Sequence, residues 1–193
     1  MENLSDLMTE KDSKNRLNNW VAVSVAILAA FMAVTKVKDD NIVQAMLQDK
    51  SDAVDTWSEY QSTRLKQHMM ELGRDQTQVL RSTAASQAAS QLDDQVKHYE
   101  AEIGRYEKKG GELQAKAQGY QADYNALNYR DDQFDLSDAA LSVALAMLAV
   151  TALTGKRWLL WASLVFAGLG LIMGLAGLFG LHIHPDALTK LLS

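Results

Sequence analysis

Three apolar runs are set apart by one long polar segment and flanked by two polar ends. The runs cover residues 20–35, 136–154 and 158–181, and no charged residue occurs in their interiors. The first run is short, but a lysine at its end, Lys36, can extend to the membrane interface. We therefore expect three transmembrane helices, with a polar N-terminal tail at 1–19 and a C-terminal tail at 182–193.

The first run also fits a cleaved signal peptide, because basic residues precede a short apolar stretch. Those residues are Lys11, Lys14 and Arg16. No Ala-x-Ala cleavage site follows the run. A retained anchor is therefore the favoured interpretation.

The polar segment at 36–135 carries a heptad pattern in its second half. Apolar or small residues recur there at alternating steps of four and three, with Gly110 filling the one gap (Ala85, Ala89, Leu92, Val96, Tyr99, Ile103, Tyr106, Leu113, Ala117, Tyr120, Tyr124 and Leu127). A less regular apolar stripe follows the first half (Val43, Leu47, Val54, Trp57, Leu65, Met69, Leu72 and Val79). Because both halves need a partner, the segment is predicted to be an antiparallel helical hairpin in which the two patterns face each other. Its tip is expected near 82–91, where the residues are short and polar.

Large and small residues are expected to complement each other in the middle of the hairpin. Folding the segment about its tip places Trp57 and Tyr60 opposite Gly110 and Gly111. Two glycines can end a helix, so a break at this point is one possibility. The heptad pattern keeps its register across them, which favours a continuous helix weakened by about 1 kcal/mol per glycine.

The third apolar run is rich in glycine, and Gly170 and Gly174 form a G-x-x-x-G pair. Such a pair allows two helices to approach closely in a membrane. The partner is either the second run of the same chain or another copy of the chain. In both cases the pair is expected to serve packing.

Composition supports an all-α membrane protein. The chain has one proline, and its apolar residues are concentrated in blocks rather than spread evenly. The net charge is −5 with the signs well mixed, so nucleic acid is not an expected partner. With no cysteine, disulfides and thiol chemistry are excluded. No phosphate loop, catalytic triad or cofactor motif is recognisable, so we expect neither enzymatic activity nor a cofactor.

A weak metal-site candidate follows the third run. His182, His184 and Asp186 lie on the same side of the membrane as Asp131 and Asp135 in a three-span protein. Imidazoles and carboxylates of this kind bind divalent metals. His-x-His alone is a weak signal, however, and interfacial histidines are common at span ends. The favoured interpretation is that no metal binds.

Basic residues predict the orientation in the membrane. Those of the N-terminal tail share one side with the turn between the second and third runs (Lys11, Lys14, Arg16, Lys156 and Arg157). This distribution favours a cytoplasmic N-terminus and a hairpin on the opposite side of the membrane. Basic residues on the opposite side oppose that orientation (Lys36, Lys38 and Arg130).

Several short motifs resemble a known family. They are Asp55-Thr-Trp57-Ser-Glu-Tyr60-Gln61, Lys66-Gln-His68, Tyr106-Glu-Lys108, Phe134-Asp-Leu136 and Leu153-Thr-Gly-Lys-Arg-Trp158. Together they resemble a bacterial membrane family catalogued as domain of unknown function 4337. The resemblance implies one span, a long helical insert and two further spans, and it implies no activity. Gly110 and Gly111 depart from the charged helical run that this family has at the corresponding place.

These features predict a non-enzymatic membrane scaffold. A two-helix hairpin buries little surface by itself, so we expect copies of the chain to assemble through the hairpin and the transmembrane helices, in contact with membrane lipid. One alternative is an accessory subunit of a larger respiratory or transport complex. Another is an oligomeric pore or a lipid-handling assembly.

Overall fold

The chain folds into three α-helices. The computed structural model describes residues 2–181 and 183, with side chains from Lys14 onward. Helix α1 covers Glu2–Thr83, α2 covers Ser86–Thr154 and α3 covers Arg157–Phe179, and the described residues contain no strand. The two long helices α1 and α2 pack together, and all three helices are long and apolar enough to cross a membrane. The predicted fold class, an all-α membrane protein with a long helical hairpin, is confirmed.

Helix α1 starts earlier than the sequence indicated. The predicted polar tail at 1–19 is helical from Glu2 onward, so the backbone does not change at the start of the first apolar run. Nothing in the sequence stops a helix here, since the chain's one proline is Pro185. A polar composition therefore did not mean an irregular segment.

A tight turn at Ala84 and Ala85 separates α1 from α2. Two hydroxyls near the end of α1 donate back to its carbonyls, Ser82 to Val79 at 2.7 Å and Thr83 to Leu80 at 3.1 Å. The Leu80 carbonyl is one of the last four of α1, which a helix end leaves without a regular intrahelical partner, and the Thr83 hydroxyl helps to satisfy it.

Helix α2 runs without interruption through Gly110 and Gly111, which confirms the favoured continuous helix over the break. Leu113 and Ala117, one turn and two turns further on, are buried in the contact with α1. Packing on this face outweighs the helix-propensity cost of about 1 kcal/mol per glycine.

Two glycines define the ends around α3. Gly155 has a φ of +66° just after α2, and Gly180 has a φ of +65° just after α3. The Leu181 amide donates to the Ala176 carbonyl at 2.9 Å, which is the six-to-one bond of a Schellman end. The third span was predicted at 158–181, and this left-handed cap ends the helix at Phe179 instead.

The chain forms two compact units. Unit 1 contains residues 1–45 and 126–193, and unit 2 contains Met46–Asn125. Unit 1 is built around one apolar cluster from all three helices (Val21, Leu28, Leu141, Ala144, Leu148 and Ala167). These positions belong to the three predicted spans, so the spans of one chain form a common core.

Unit 2 contains the middle of the hairpin, where the face of α1 turned toward α2 is largely polar. Its buried residues follow alternating steps of three and four with half-buried residues between them (Met46, Ala53, Thr56, Thr63, Gln67 and Thr77). Small and medium polar side chains at this spacing let two helices pack closely. The contact between α1 and α2 in this unit therefore does not depend on the apolar stripe of α1.

Candidate functional site

Gly170 and Gly174 face other helices of the same chain. A Cβ at Gly170 would lie 2.7 Å from Leu141 Cγ, and one at Gly174 would lie 2.7 Å from Phe31 Cε1. The buried Ser137 hydroxyl donates to the Gly170 carbonyl at 2.8 Å. The G-x-x-x-G pair is therefore occupied within unit 1, and its interpretation as a contact between copies is wrong.

Two polar side chains of α2 hold the end of α3. Arg130 donates to the Gly177 carbonyl through Nη2 at 2.9 Å and Nε at 3.2 Å. The fully buried Gln133 donates to the carbonyls of Leu181 and Ile183, each at 2.7 Å. The carbonyls at a helix end have no partner in the helix, and a cation is favourable beside them. Sequence reasoning missed this role, since Arg130 was counted only as a topology signal.

A group of carboxylates lies just before the second predicted span. Asp39 is buried, and its Oδ2 accepts a hydrogen bond from Lys36 Nζ at 2.8 Å. The Asp39 Oδ1 is also buried and has no hydrogen-bond partner among the described residues. Asp131 and Asp135 from α2 face Asp39. Unit 1 therefore holds three carboxylates close together beside a single lysine.

This environment raises the affinity of Asp131 and Asp135 for protons. Burial, the facing Asp39 carboxylate and the charge of Asp135 raise the pKa of Asp131 to about 6. Burial and the charge of Asp39 raise the pKa of Asp135 as well, while Lys36 opposes the change. A proton on Asp131 would give the Asp39 carboxylate a donor. The arrangement can thus hold a proton near neutral pH.

The metal-site hypothesis stays a prediction. His182, His184 and Asp186 lie outside the described residues. Within the described part of the chain, no group of three or more His, Asp or Glu side chains has a geometry that could hold a metal ion.

The middle of the hairpin combines the predicted aromatics with one of the two glycines. Tyr60 is half-buried, and its Cε2 would lie 3.8 Å from a Cβ at Gly110. Trp57 packs edge-on against Tyr60 with 5.4 Å between ring centroids. Gly111 is exposed, and nothing lies within 4 Å of the place where its Cβ would be. The structure thus brings together Trp57, Tyr60 and Gly110 but leaves Gly111 out.

Ion pairs on the rim of unit 2 join the two arms. Lys109 Nζ lies 2.7 Å from Glu59 Oε1, and Arg81 pairs with Asp93 near the turn. These side chains are about half exposed, so solvent screens each pair and its contribution to stability is small. The pairs set the alignment of the arms more than their stability.

The apolar stripe predicted to face α2 is exposed instead. Apart from the half-buried Trp57, its large residues in unit 2 are 59–69% exposed (Leu47, Val54, Leu65, Met69, Leu72 and Val79, with Leu80 beside them). The prediction that this stripe packs against α2 is therefore wrong. Hydropathy alone would have assigned this exposed apolar face of α1 as the one that contacts α2. The signal for the inner face was the three-and-four spacing of Met46, Asp49, Ala53, Thr56, Tyr60 and Thr63.

One family model matches most of the chain. The family described as "Domain of unknown function (DUF4337)" matches residues 17–180, which is most of the chain. No curated protein and no solved structure is detectably similar to the chain.

Proposed function

The chain belongs to the DUF4337 family, and from that premise we propose that it is a non-enzymatic membrane scaffold that assembles with copies of itself. The observation that carries the proposal is the exposed apolar stripe on α1 in unit 2. A contiguous exposed apolar patch is typical of a protein interaction surface.

The inner face of the hairpin supports the same proposal. Thr56, Thr63 and Gln67 occupy the contact with α2, while Leu65 and Leu72 stay outside. Burying leucine removes roughly 2 kcal/mol of unfavourable hydration per side chain, whereas threonine offers much less. A hairpin that was stable without a neighbour would bury its leucines between α1 and α2. This arrangement suits a hairpin that is completed by a neighbour.

Unit 1 suits membrane insertion of each copy. Its apolar cluster is internal, and large side chains on the outside of α3 are exposed (Trp158, Trp161, Val165, Leu169, Ile172 and Phe179). Such residues are compatible with lipid, and tryptophan is favoured near the interface. We place the N-terminus in the cytoplasm and the hairpin in the periplasm of a bacterial inner membrane, on the basic residues of the N-terminal tail and of the turn before α3.

The test of self-assembly is native mass spectrometry of the protein purified in mild detergent from its own membranes. We expect one species at an integer multiple of the 21.3 kDa chain mass. A monomer alone, or other chains present at a fixed ratio, would contradict the proposal.

The orientation has a separate test. The chain has no cysteine, so Ala115→Cys on the exposed side of α2 introduces a single thiol. We expect a membrane-impermeant maleimide to label it once the outer membrane is permeabilised and the inner membrane is intact. Labelling only after the inner membrane is broken would reverse the orientation.

An accessory subunit of a larger membrane complex is the second candidate. An apolar groove lies between α2 and α3 in unit 1, lined by Leu136, Val143, Phe166, Leu169 and Met173. Such a groove could receive a transmembrane helix of another protein. Gly170 and Gly174 cannot serve this purpose, because they are covered within the chain. Fixed-ratio co-purification in the same mass-spectrometry experiment would favour this candidate.

A further inference from the structure

The exposed large apolar residues of unit 2 are confined to one of its two helices. All residues from Met46 to Asn125 are described, and Leu47, Val54, Leu65, Met69, Leu72, Val79 and Leu80 all belong to α1. The α2 arm of this unit exposes no large apolar side chain. We call the seven residues on α1 the outer stripe. A copy that packed its outer stripe on the α2 arm of a neighbour would bury leucine against polar side chains.

Resting on the proposed self-assembly, we propose that the outer stripe pairs with the outer stripe of a second copy, α1 against α1, in parallel and in register. Copies inserted in one membrane with the same orientation have α1 helices that leave the membrane in the same direction. A twofold axis between them then places each residue opposite its own equivalent.

The spacing along the outer stripe suits a parallel coiled coil. Leu65, Met69, Leu72, Gln76 and Val79 follow steps of four, three, four and three. Leu47 and Val54 are also seven residues apart, and a spacing of eleven joins Val54 to Leu65. That interval adds four residues to a heptad, which locally unwinds a coiled coil without ending it.

Gln76 favours the in-register arrangement. It is exposed and lies between Leu72 and Val79 in the line of core positions. A single polar residue at a core position of a parallel pair fixes the register, because its equivalent in the other helix satisfies it. A shift by one heptad would place one Gln76 against Met69 and the other against Thr83, so the two glutamines could no longer satisfy each other.

The available area is sufficient for a stable pair. At 59–69% exposure, each of the seven side chains leaves on the order of 100 Å² uncovered, or roughly 700 Å² per copy. Two copies would bury about 1,400 Å², which lies within the range of specific interfaces. One stripe per chain is thus enough to account for a dimer along α1.

Disulfide formation between single-cysteine variants tests this pairing. The chain has no cysteine, so Leu47→Cys and Leu72→Cys each introduce one thiol into the outer stripe of the full-length protein. Matched controls are Ala115→Cys on the exposed side of α2 and Thr63→Cys on the inner face of α1. Each variant is oxidised with copper phenanthroline in native membranes, and the covalent dimer is measured on a non-reducing gel.

We expect both stripe variants to form a covalent dimer at least ten times faster than either control. Leu47 and Leu72 are 25 residues apart, or about 37 Å along a helix. An antiparallel pair could bring only one of the two positions close to its equivalent, since a disulfide needs Cα atoms within about 7 Å. Dimer formation at both positions therefore requires the parallel, in-register arrangement.

Other results overturn the inference in distinguishable ways. If native mass spectrometry shows an oligomer but neither stripe variant cross-links, self-assembly stands and the outer stripe is not its contact. Equal cross-linking of Ala115→Cys and the stripe variants would indicate random collision. Cross-linking at one stripe position alone would indicate an antiparallel crossing. A monomer in mass spectrometry with no dimer at either position would overturn the proposed function together with this inference.

Discussion

The two units place their apolar and polar residues in opposite ways. In unit 1, Leu141 and Leu148 are fully buried among three helices. In unit 2, Thr56 and Thr63 of α1 are buried, while Leu65 and Leu72 of the same helix are exposed. Unit 1 has an apolar core and exposes further apolar residues on helices that can cross a membrane, whereas unit 2 exposes its large apolar residues on the hairpin outside those spans.

The glycines of the two units differ in the same sense. Gly170 and Gly174 have no room for a Cβ, because another helix of the chain lies too close. Gly104, Gly111 and Gly119 of the hairpin have nothing within 4 Å of that position. At these positions glycine permits close contact in unit 1 and leaves open space in unit 2, although Gly168 of unit 1 also meets open space and Gly73 of unit 2 lies against Tyr99. The proposed self-assembly therefore rests on the exposed apolar residues of α1 in unit 2 and not on these glycines.

The largest effect is expected from adding a methyl group to the crowded contact of unit 1. Gly170→Ala would place Cβ 2.7 Å from Leu141 Cγ and 3.1 Å from the Ser137 carbonyl oxygen. We expect unit 1 to lose about 2 kcal/mol, measured by thermal unfolding in detergent. Gly168→Ala on the same helix meets nothing within 4 Å and is the matched control. Equal unfolding temperatures for the two variants would show that α3 does not pack as described.

The next effect concerns assembly rather than folding. Leu65→Glu combined with Met69→Glu adds two negative charges to the outer stripe. We expect the double variant to weaken self-association at least tenfold, or by about 1.4 kcal/mol. The helical content should not change, since neither side chain contacts the rest of the hairpin closely. Ala115→Glu on α2 should leave the association constant as it is. An unchanged oligomer in the double variant would show that the stripe is not used.

A stabilising substitution is expected within the hairpin. Gly111→Ala adds a methyl group in open space within a continuous helix and should stabilise unit 2 by about 1 kcal/mol. Gly73→Ala should give no such gain, because its Cβ would lie 3.0 Å from the Tyr99 ring. Chemical denaturation followed by circular dichroism measures both. A loss of stability at Gly111 would mean that a neighbouring chain covers this position.

The smallest effect is the pH dependence of unit 1. The pKa of Asp131 rises from 3.8 to about 6, so the folded state binds a proton more tightly than the unfolded state does. Stability should therefore be greatest below about pH 4, should fall as the pH rises through 6, and should be flat above it. The facing groups are Asp39, Asp132 and Asp135, with Lys36 opposing them.

Asp131→Asn removes the charge and keeps a hydrogen-bond donor near Asp39. At pH 7 we expect this variant to stabilise unit 1, because a charged Asp131 is unfavourable there. The gain should be no more than about 1 kcal/mol, since solvent screens a half-buried carboxylate. At pH 4 the variant and the parent should unfold at nearly the same temperature. Asp123→Asn, on the exposed surface of unit 2, is the control. A parent protein that is more stable at pH 7 than at pH 5 would contradict this assignment.

Much of the fold followed from hydropathy and periodicity. The three apolar runs predicted the three helices apolar enough to cross a membrane. The heptads around Leu113 and Ala117 correctly identified the buried face of α2. The continuous register across Gly110 and Gly111 also predicted that α2 does not break. Each of these features depends on residues close together in sequence, which is why a linear pattern is sufficient.

The candidate sites could be predicted less well from the sequence. The spacing of Thr35, Asp39 and Ile42, in steps of four and three, places Asp39 on the face of α1 that meets α2. Its burial beside Asp131, however, depends on residues about ninety positions apart in the chain. Likewise, the donors that hold the end of α3 come from Arg130 and Gln133, 47 to 50 residues away. No local pattern connects such residues.

The sequence by itself determined that the chain is helical, where its apolar spans lie and that α1 has an apolar stripe. Only the tertiary structure decided which face of α1 meets α2. A helix with two possible contact faces is not assigned by hydrophobicity alone, since close packing of small polar residues such as Thr56 and Thr63 can take the inner position. The leucines then stay outside, and the partner that would cover them lies beyond a single chain.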